Sequence, residues 1–146
     1  MEPIYIFYAV CVSFLWGIAA IIHKIFLKNI SDITFMCMSG VIYFLILVFY
    51  ISYHNKIIQN DLKKIDANTY FWIFISVFFG LFISNALYFY VMKYNEPSIV
   101  VAITFSCPLF TLLGAYFILN ERIHTYGLLG VLSIVLGIIL VSLNKE

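Results

Sequence analysis

The chain keeps its charged residues out of five long apolar stretches, at approximately 3–22, 33–53, 70–92, 97–119 and 125–143. Each is close to the roughly 20 residues a helix needs to cross the hydrocarbon core of a bilayer. Only 10% of the residues are charged and 64% are hydrophobic, whereas a soluble domain is nearer a quarter charged and half apolar. Mean hydropathy is +1.07. Too few charges exist to clothe a water-facing surface, so lipid is the solvent for most of the chain. With no water to satisfy the backbone there, and five separate runs of this length, the expected fold is all-α. It is a polytopic membrane protein with five transmembrane helices in a single domain over 1–146.

The same inventory excludes other classes. Net charge is +1, so no basic footprint for nucleic acid exists. Cys11, Cys37 and Cys107 are odd in number and sit inside apolar runs, which fits small apolar fillers rather than a disulfide framework. No Cys/His cluster has metal-ligand spacing, and neither a Gly-rich phosphate loop nor a G-x-S-x-G elbow is present. No catalytic set, metal or cofactor is expected, and the chain does not read as an enzyme. The N-terminal run begins with Glu2 rather than a basic region, reaches Ile22 and lacks an A-x-A-like site; it reads as a retained first span, not a signal peptide.

Punctuation residues set the ends of the spans. Pro97 suits a first helical turn, where a missing N–H costs nothing. Ser31 or Asp32 can cap the second span. Tyr53, Tyr70 and Trp72 sit where an aromatic belt would. Spans two and three are joined by HNKIIQNDLKKIDANT, in which Ile58, Leu62 and Ile65 recur at helical spacing; this is either a short interfacial helix or a solvated loop. Five spans put the two termini on opposite faces. Lys56, Lys63, Lys64 and Arg122 then share the N-terminal side, and Lys24, Lys28, Lys93 and Lys145 the other. Four against four gives the positive-inside rule no vote. Either a small sample or the terminal amine decides, or both orientations insert and pair as an antiparallel dimer.

Helices in lipid meet through small residues and a few polar groups. Span one repeats Ala9, Ser13, Gly17 and Ala20; span three Ser76, Gly80 and Ser84; span five Gly127, Gly130 and Gly137. Gly17, Gly80, Gly130 and Gly137 are therefore candidates for helix packing, within the chain or against a second one. A more polar set comprises Trp16, Asn85, Tyr88, Thr104, Pro108 and Thr111. Pro108 removes the bond to the Thr104 carbonyl and should kink span four; the freed carbonyl is tolerated only where protein, a hydroxyl or water reaches it. Asn85 needs a partner, from a neighbouring helix or a wet cavity. Lys24, Glu121 and Arg122 mark span ends, as depth anchors or a gated mouth. No Asp, Glu, Lys or Arg lies deep in a span, which argues against a carboxylate proton relay.

The run YVMKYNEPSIVVAITFSCPLFTLLGAYFILNERI, with GLLGVLSIVLGIIL after it, resembles the EamA-like members of the drug/metabolite transporter superfamily. The resemblance rests on Tyr88, Lys93 and Tyr94 at the end of span three, on Pro108, Gly114 and Glu121 in span four, and on Gly130 and Gly137 in span five. FLWG at Phe14–Gly17, with Lys24 soon after, matches the first span. The resemblance implies one half of an inverted-repeat transporter, since such proteins commonly hold two five-span halves. The acid found in the first helix of small multidrug relatives is absent here, where Ser13 and Trp16 stand. Met38 and Ser39 occupy the neighbourhood of an arginine common in the family's second span. The resemblance and these departures together imply a half-size carrier of neutral or zwitterionic small molecules in a multi-pass setting, the plasma membrane favoured. Its implied partners are membrane lipids and an antiparallel copy or a homologous half. The alternative is a non-transporting accessory or assembly subunit that retains the carrier fold.

Overall fold

The computed structural model describes residues 3–122 and 124–143, apart from the side chain of Ser142. Glu2 and Lys145, which enter the N-terminal reading and the charge balance, lie outside the described residues. Among the described residues the regular structure is all helical: α1 (Pro3–Leu27), α2 (Asp32–Tyr53), α3 (Asn55–Leu62), α4 (Ala67–Val77), a π-helical segment (Phe78–Ile83), α5 (Ser84–Tyr94), α6 (Pro97–Thr104), α7 (Cys107–Ile118) and α8 (Thr125–Leu143). Four spans, Pro3–Leu27, Asp32–Tyr53, Ala67–Tyr94 and Pro97–Ile118, are long and apolar enough to cross a membrane. The shorter α8 has 19 residues, about 28 Å at 1.5 Å per residue. The chain is an all-α polytopic membrane protein.

It divides into two compact units, one formed by Met1–Ile22 with Tyr94–Glu146, the other by His23–Lys93. The buried hydrophobic residues among those described are Ala20, Leu27, Phe89, Met92 and Val100. Most of the other large apolar side chains described are exposed, and the rest are half-buried. That is the arrangement expected where lipid, or another helix, replaces water.

Local chemistry sets the element boundaries. Ser31 caps α2: its hydroxyl oxygen accepts from the Thr34 N–H at 3.1 Å and donates to the Thr34 hydroxyl at 2.8 Å, satisfying one orphan donor of the first turn. The segment between spans two and three forms a helix, α3, with Ile58 half-buried and Ile57 turned out. Pro97 opens α6. Span four is interrupted rather than smoothly bent. α6 ends at Thr104, and the chain tightens to i→i+3 bonds, Ser106 N–H to Ile103 at 3.0 Å and Leu109 N–H to Ser106 at 3.0 Å. Pro108 then sits in the first turn of α7, where its missing N–H is harmless.

Span three departs from an uninterrupted α-helix. Over Phe78–Ile83 it widens to π geometry, which leaves carbonyls poorly matched to the ordinary ladder. Two polar side chains just beyond fill the gap. Ser84 Oγ donates to the Phe79 carbonyl at 2.7 Å, and Asn85 Nδ2 donates to the Leu81 carbonyl at 2.6 Å. Asn85 thus bonds a carbonyl of its own helix.

At the start of α4, Asp66 is the N-cap, accepting from the backbone N–H of Thr69 at 2.9 Å and from its hydroxyl. The Thr69 hydroxyl, and then its N–H, hold the Asp66 carboxyl below the usual carboxylate value of 3.8. A depressed folded pKa means the cap contributes fully above the unfolded value and is lost as pH falls through the folded one. The protection of the Thr69 amide, its exchange relative to the free-peptide rate at the same pH, should therefore hold while Asp66 is ionised and fall once pH drops below its lowered folded value. An Asp66→Ala variant should lack that extra protection at every pH, which hydrogen–deuterium exchange with the protein in detergent can read.

Candidate functional site

The unit built from α6, α7 and α8 contains a cavity of about 490 Å³ between the last two helices. Cys107, Pro108, Thr111, Leu112, Ala115 and Tyr116 supply one wall from α7, and Gly127 comes from the first turn of α8. Glu121, Arg122 and His124, on the connection, also line it. An adjoining hollow of about 370 Å³ shares Tyr116, Glu121 and Arg122 and adds Phe117 and Asn120.

A particular turn carries the charged residues to this place. α7 stops at Ile118, and Asn120 adopts φ 53°, the left-handed region that asparagine tolerates better than most residues with a Cβ. With Asn120 left-handed, the Glu121 N–H reaches the Ala115 carbonyl at 3.1 Å, an acceptor it shares with the Leu119 N–H, and the pair caps the helix end. One of the last carbonyls of α7 thereby gains two donors, and Glu121 and Arg122 follow at once in the connection to α8. Neither side chain has an ion-pair or hydrogen-bond partner among the described residues.

Of the residues singled out from sequence, Pro108, Thr111, Glu121 and Arg122 share this cavity. Thr104 does not line it; its hydroxyl donates to the Val100 carbonyl at 2.8 Å, and that of Thr111 to the Cys107 carbonyl at 3.0 Å. Trp16 is in the same unit, more than half exposed, with its ring 5.6 Å from that of Phe105. Gly17, Gly80, Gly130 and Gly137 all stand in open space: a Cβ at any of them would meet nothing within 4 Å among the described residues.

Asn85 and Tyr88 belong to the other unit, as does Lys24. There the rings of His23, Phe35, Tyr88 and Phe89 form one cluster, His23 lying 5.3 Å from Phe35, 6.0 Å from Tyr88 and 5.2 Å from Phe89. His23 Nδ1 is buried without a hydrogen-bond partner among the described residues. Beside it Lys24 Nζ donates to the carbonyls of Met92 at 2.9 Å and Lys93 at 3.0 Å. Those carbonyls are among the last of α5, which have no partner within their own helix, and a cation there also complements the helix dipole. Lys93 Nζ in turn lies 3.8 Å from Asp32 at the start of α2. α1, α2 and α5 are tied together at this end by charge and backbone. The sequence marked Lys24 as an anchor or gate. It held no sign that the lysine closes another helix, because the partner carbonyls lie 68 and 69 residues away.

These features define a helical, multi-pass membrane protein whose polar groups gather near helix ends and at a broken span. A family model described as the EamA-like transporter family matches residues 3–143, and the chain belongs to that family. Searches of curated proteins and of solved structures returned no match.

Substitutions at two positions test these contacts. Lys24→Met leaves two carbonyls of α5 unmatched and should lower stability by about 2 kcal/mol, the cost of losing charge-assisted hydrogen bonds; Lys24→Arg should recover much of it in thermal unfolding with detergent. At the turn, Asn120→Val should cost about 1–2 kcal/mol for forcing a branched residue into the left-handed region, whereas Asn120→Gly should melt within a degree or two of the parent.

Proposed function

We propose that the protein is a half-size carrier of small neutral or zwitterionic metabolites, working by alternating access as an antiparallel dimer with a copy of itself or with a homologous half. Membership of a transporter family over residues 3–143 carries this reading. Carriers built from inverted repeats hold substrate near the midplane, between halves. A single set of five helices needs a second, inverted set to complete such a site. Two further observations support the pairing: the four-against-four distribution of basic residues leaves orientation undirected, and the glycine positions are open among the described residues.

The absence of acidic or basic residues deep in the apolar spans favours solutes that bring no uncompensated charge into the hydrocarbon. Trp16, Asn85, Tyr88, Thr104, Pro108 and Thr111 are proposed to face the solute, with Lys24, Glu121 and Arg122 near the mouths. No nucleophile–base pair or metal set accompanies them, so the chemistry proposed is binding and release. The plasma membrane is the proposed location.

The test has two arms. Reporters fused to the C terminus should appear on both faces of the membrane; a single orientation with no inverted homologous partner would overturn the dimer. Counterflow of a panel of radiolabelled neutral and zwitterionic metabolites should occur in proteoliposomes. It should fall in Asn85→Ala, Tyr88→Phe or Thr104→Val more than protein abundance does. Stable complex formation with an unrelated protein, without flux, would instead identify an accessory subunit.

A further inference from the structure

We propose that the cavity between α7 and α8 is a lipid site, selective for a head that carries a primary ammonium and a phosphate, as in phosphatidylethanolamine. Pro108, Thr111, Glu121 and Arg122, proposed above to meet a solute, also line this cavity, so lipid and solute would compete for it; the lipid readouts below need no transport.

The lining divides by depth. Glu121 and Arg122 lie beyond the end of the apolar span at Ile118, whereas Pro108 and Thr111 are within it. Pro108 to Ile118 is about 15 Å of helix, half the hydrocarbon thickness. A ligand filling the space therefore needs a charged end at the mouth and an apolar body reaching inward. Thr111 adds little polarity below the mouth, since its hydroxyl already donates to the Cys107 carbonyl. A small polar solute would leave that depth unfilled; an acyl chain would not.

The mouth fixes the head. Glu121 and Arg122 are neighbours of opposite sign, both lining the cavity, and neither has a side-chain partner among the described residues. An anionic ligand would answer the guanidinium and be repelled by the carboxylate, and a cation the reverse. A zwitterion answers both. The planar guanidinium presents two parallel N–H groups to phosphate oxygens. The Glu121 carboxylate accepts N–H bonds, which a primary ammonium can donate and a trimethylammonium cannot. A quaternary head would instead want a cage of aromatic faces, and Tyr116 is the one aromatic ring in this lining among the described residues, His124 aside.

Purified protein in detergent should be titrated with phosphatidylethanolamine, phosphatidylcholine, phosphatidylglycerol and soluble glycerophosphoethanolamine. Binding is read by native mass spectrometry and by protection of Cys107, which is exposed and in the lining, from maleimide. Phosphatidylethanolamine should bind about tenfold more tightly than phosphatidylglycerol, the ratio that about 1.4 kcal/mol of unmatched charge produces, and should slow labelling of Cys107. Glu121→Gln should bring the two lipids close to parity, and Arg122→Gln should weaken both. Equal affinity for all three lipids, selectivity unchanged in Glu121→Gln, or no protection of Cys107 would overturn the proposal. So would glycerophosphoethanolamine binding as tightly as the lipid, which would make the site one for a soluble solute.

Discussion

In hydrocarbon, a backbone carbonyl without a donor has no water to turn to, and each such group costs several kcal/mol. That constraint organises this structure. Hydroxyl groups within the spans, among them Ser13, Ser52, Thr104, Thr111 and Ser133, donate to a carbonyl one turn earlier in their own helix. Immediately after the widened turn at Phe78–Ile83 come Ser84 and Asn85, which cover the carbonyls it displaces. Span four breaks where proline withholds a donor, and the adjoining turns tighten to shorter-range bonds. Because the hydroxyls are spent locally, the helices have few polar groups left with which to hold each other.

The remaining polar interactions are concentrated at helix ends, where desolvation is least costly. In one unit, Lys24 closes the end of α5 and Lys93 approaches Asp32 at the start of α2. In the other, the left-handed Asn120 ends α7, and Glu121 and Arg122 just after it line a cavity. Two lysines thus serve structure, while an adjacent acid and base remain without partners among the described residues. The contrast separates charges that hold the fold from charges available to a ligand. Composition treats both kinds alike.

Much of the architecture is legible in the sequence because one physical requirement, apolar length, leaves a strong signal. The five runs correspond to helical segments, though α1 continues to Leu27, past the Ile22 read from the first charged residues. The cap at Ser31, the helix start at Pro97 and the break before Pro108 arise from local backbone chemistry and need no distant partner. The π-helical turn was not legible. Ser84 and Asn85 are visible in the sequence, but whether a polar side chain serves its own helix or a neighbour depends on backbone geometry. Pro108, Thr111, Glu121 and Arg122 were picked out for different reasons, and their meeting around one cavity depends on the sign of φ at Asn120, which is a weak preference in the sequence.

The sequence by itself determined the solvent, the helical class, the approximate spans and the positions of breaks and caps, because these depend on hydrophobicity and on bonds between residues a turn apart. Tertiary structure alone decided that Lys24 would serve carbonyls far along the chain, and that, among the described residues, the glycine positions would stand open and an acid and base without partners would line a common cavity. Such outcomes depend on which surfaces approach in space. In a chain this uniformly apolar, many approaches satisfy the same pattern, so only packing and backbone direction select among them.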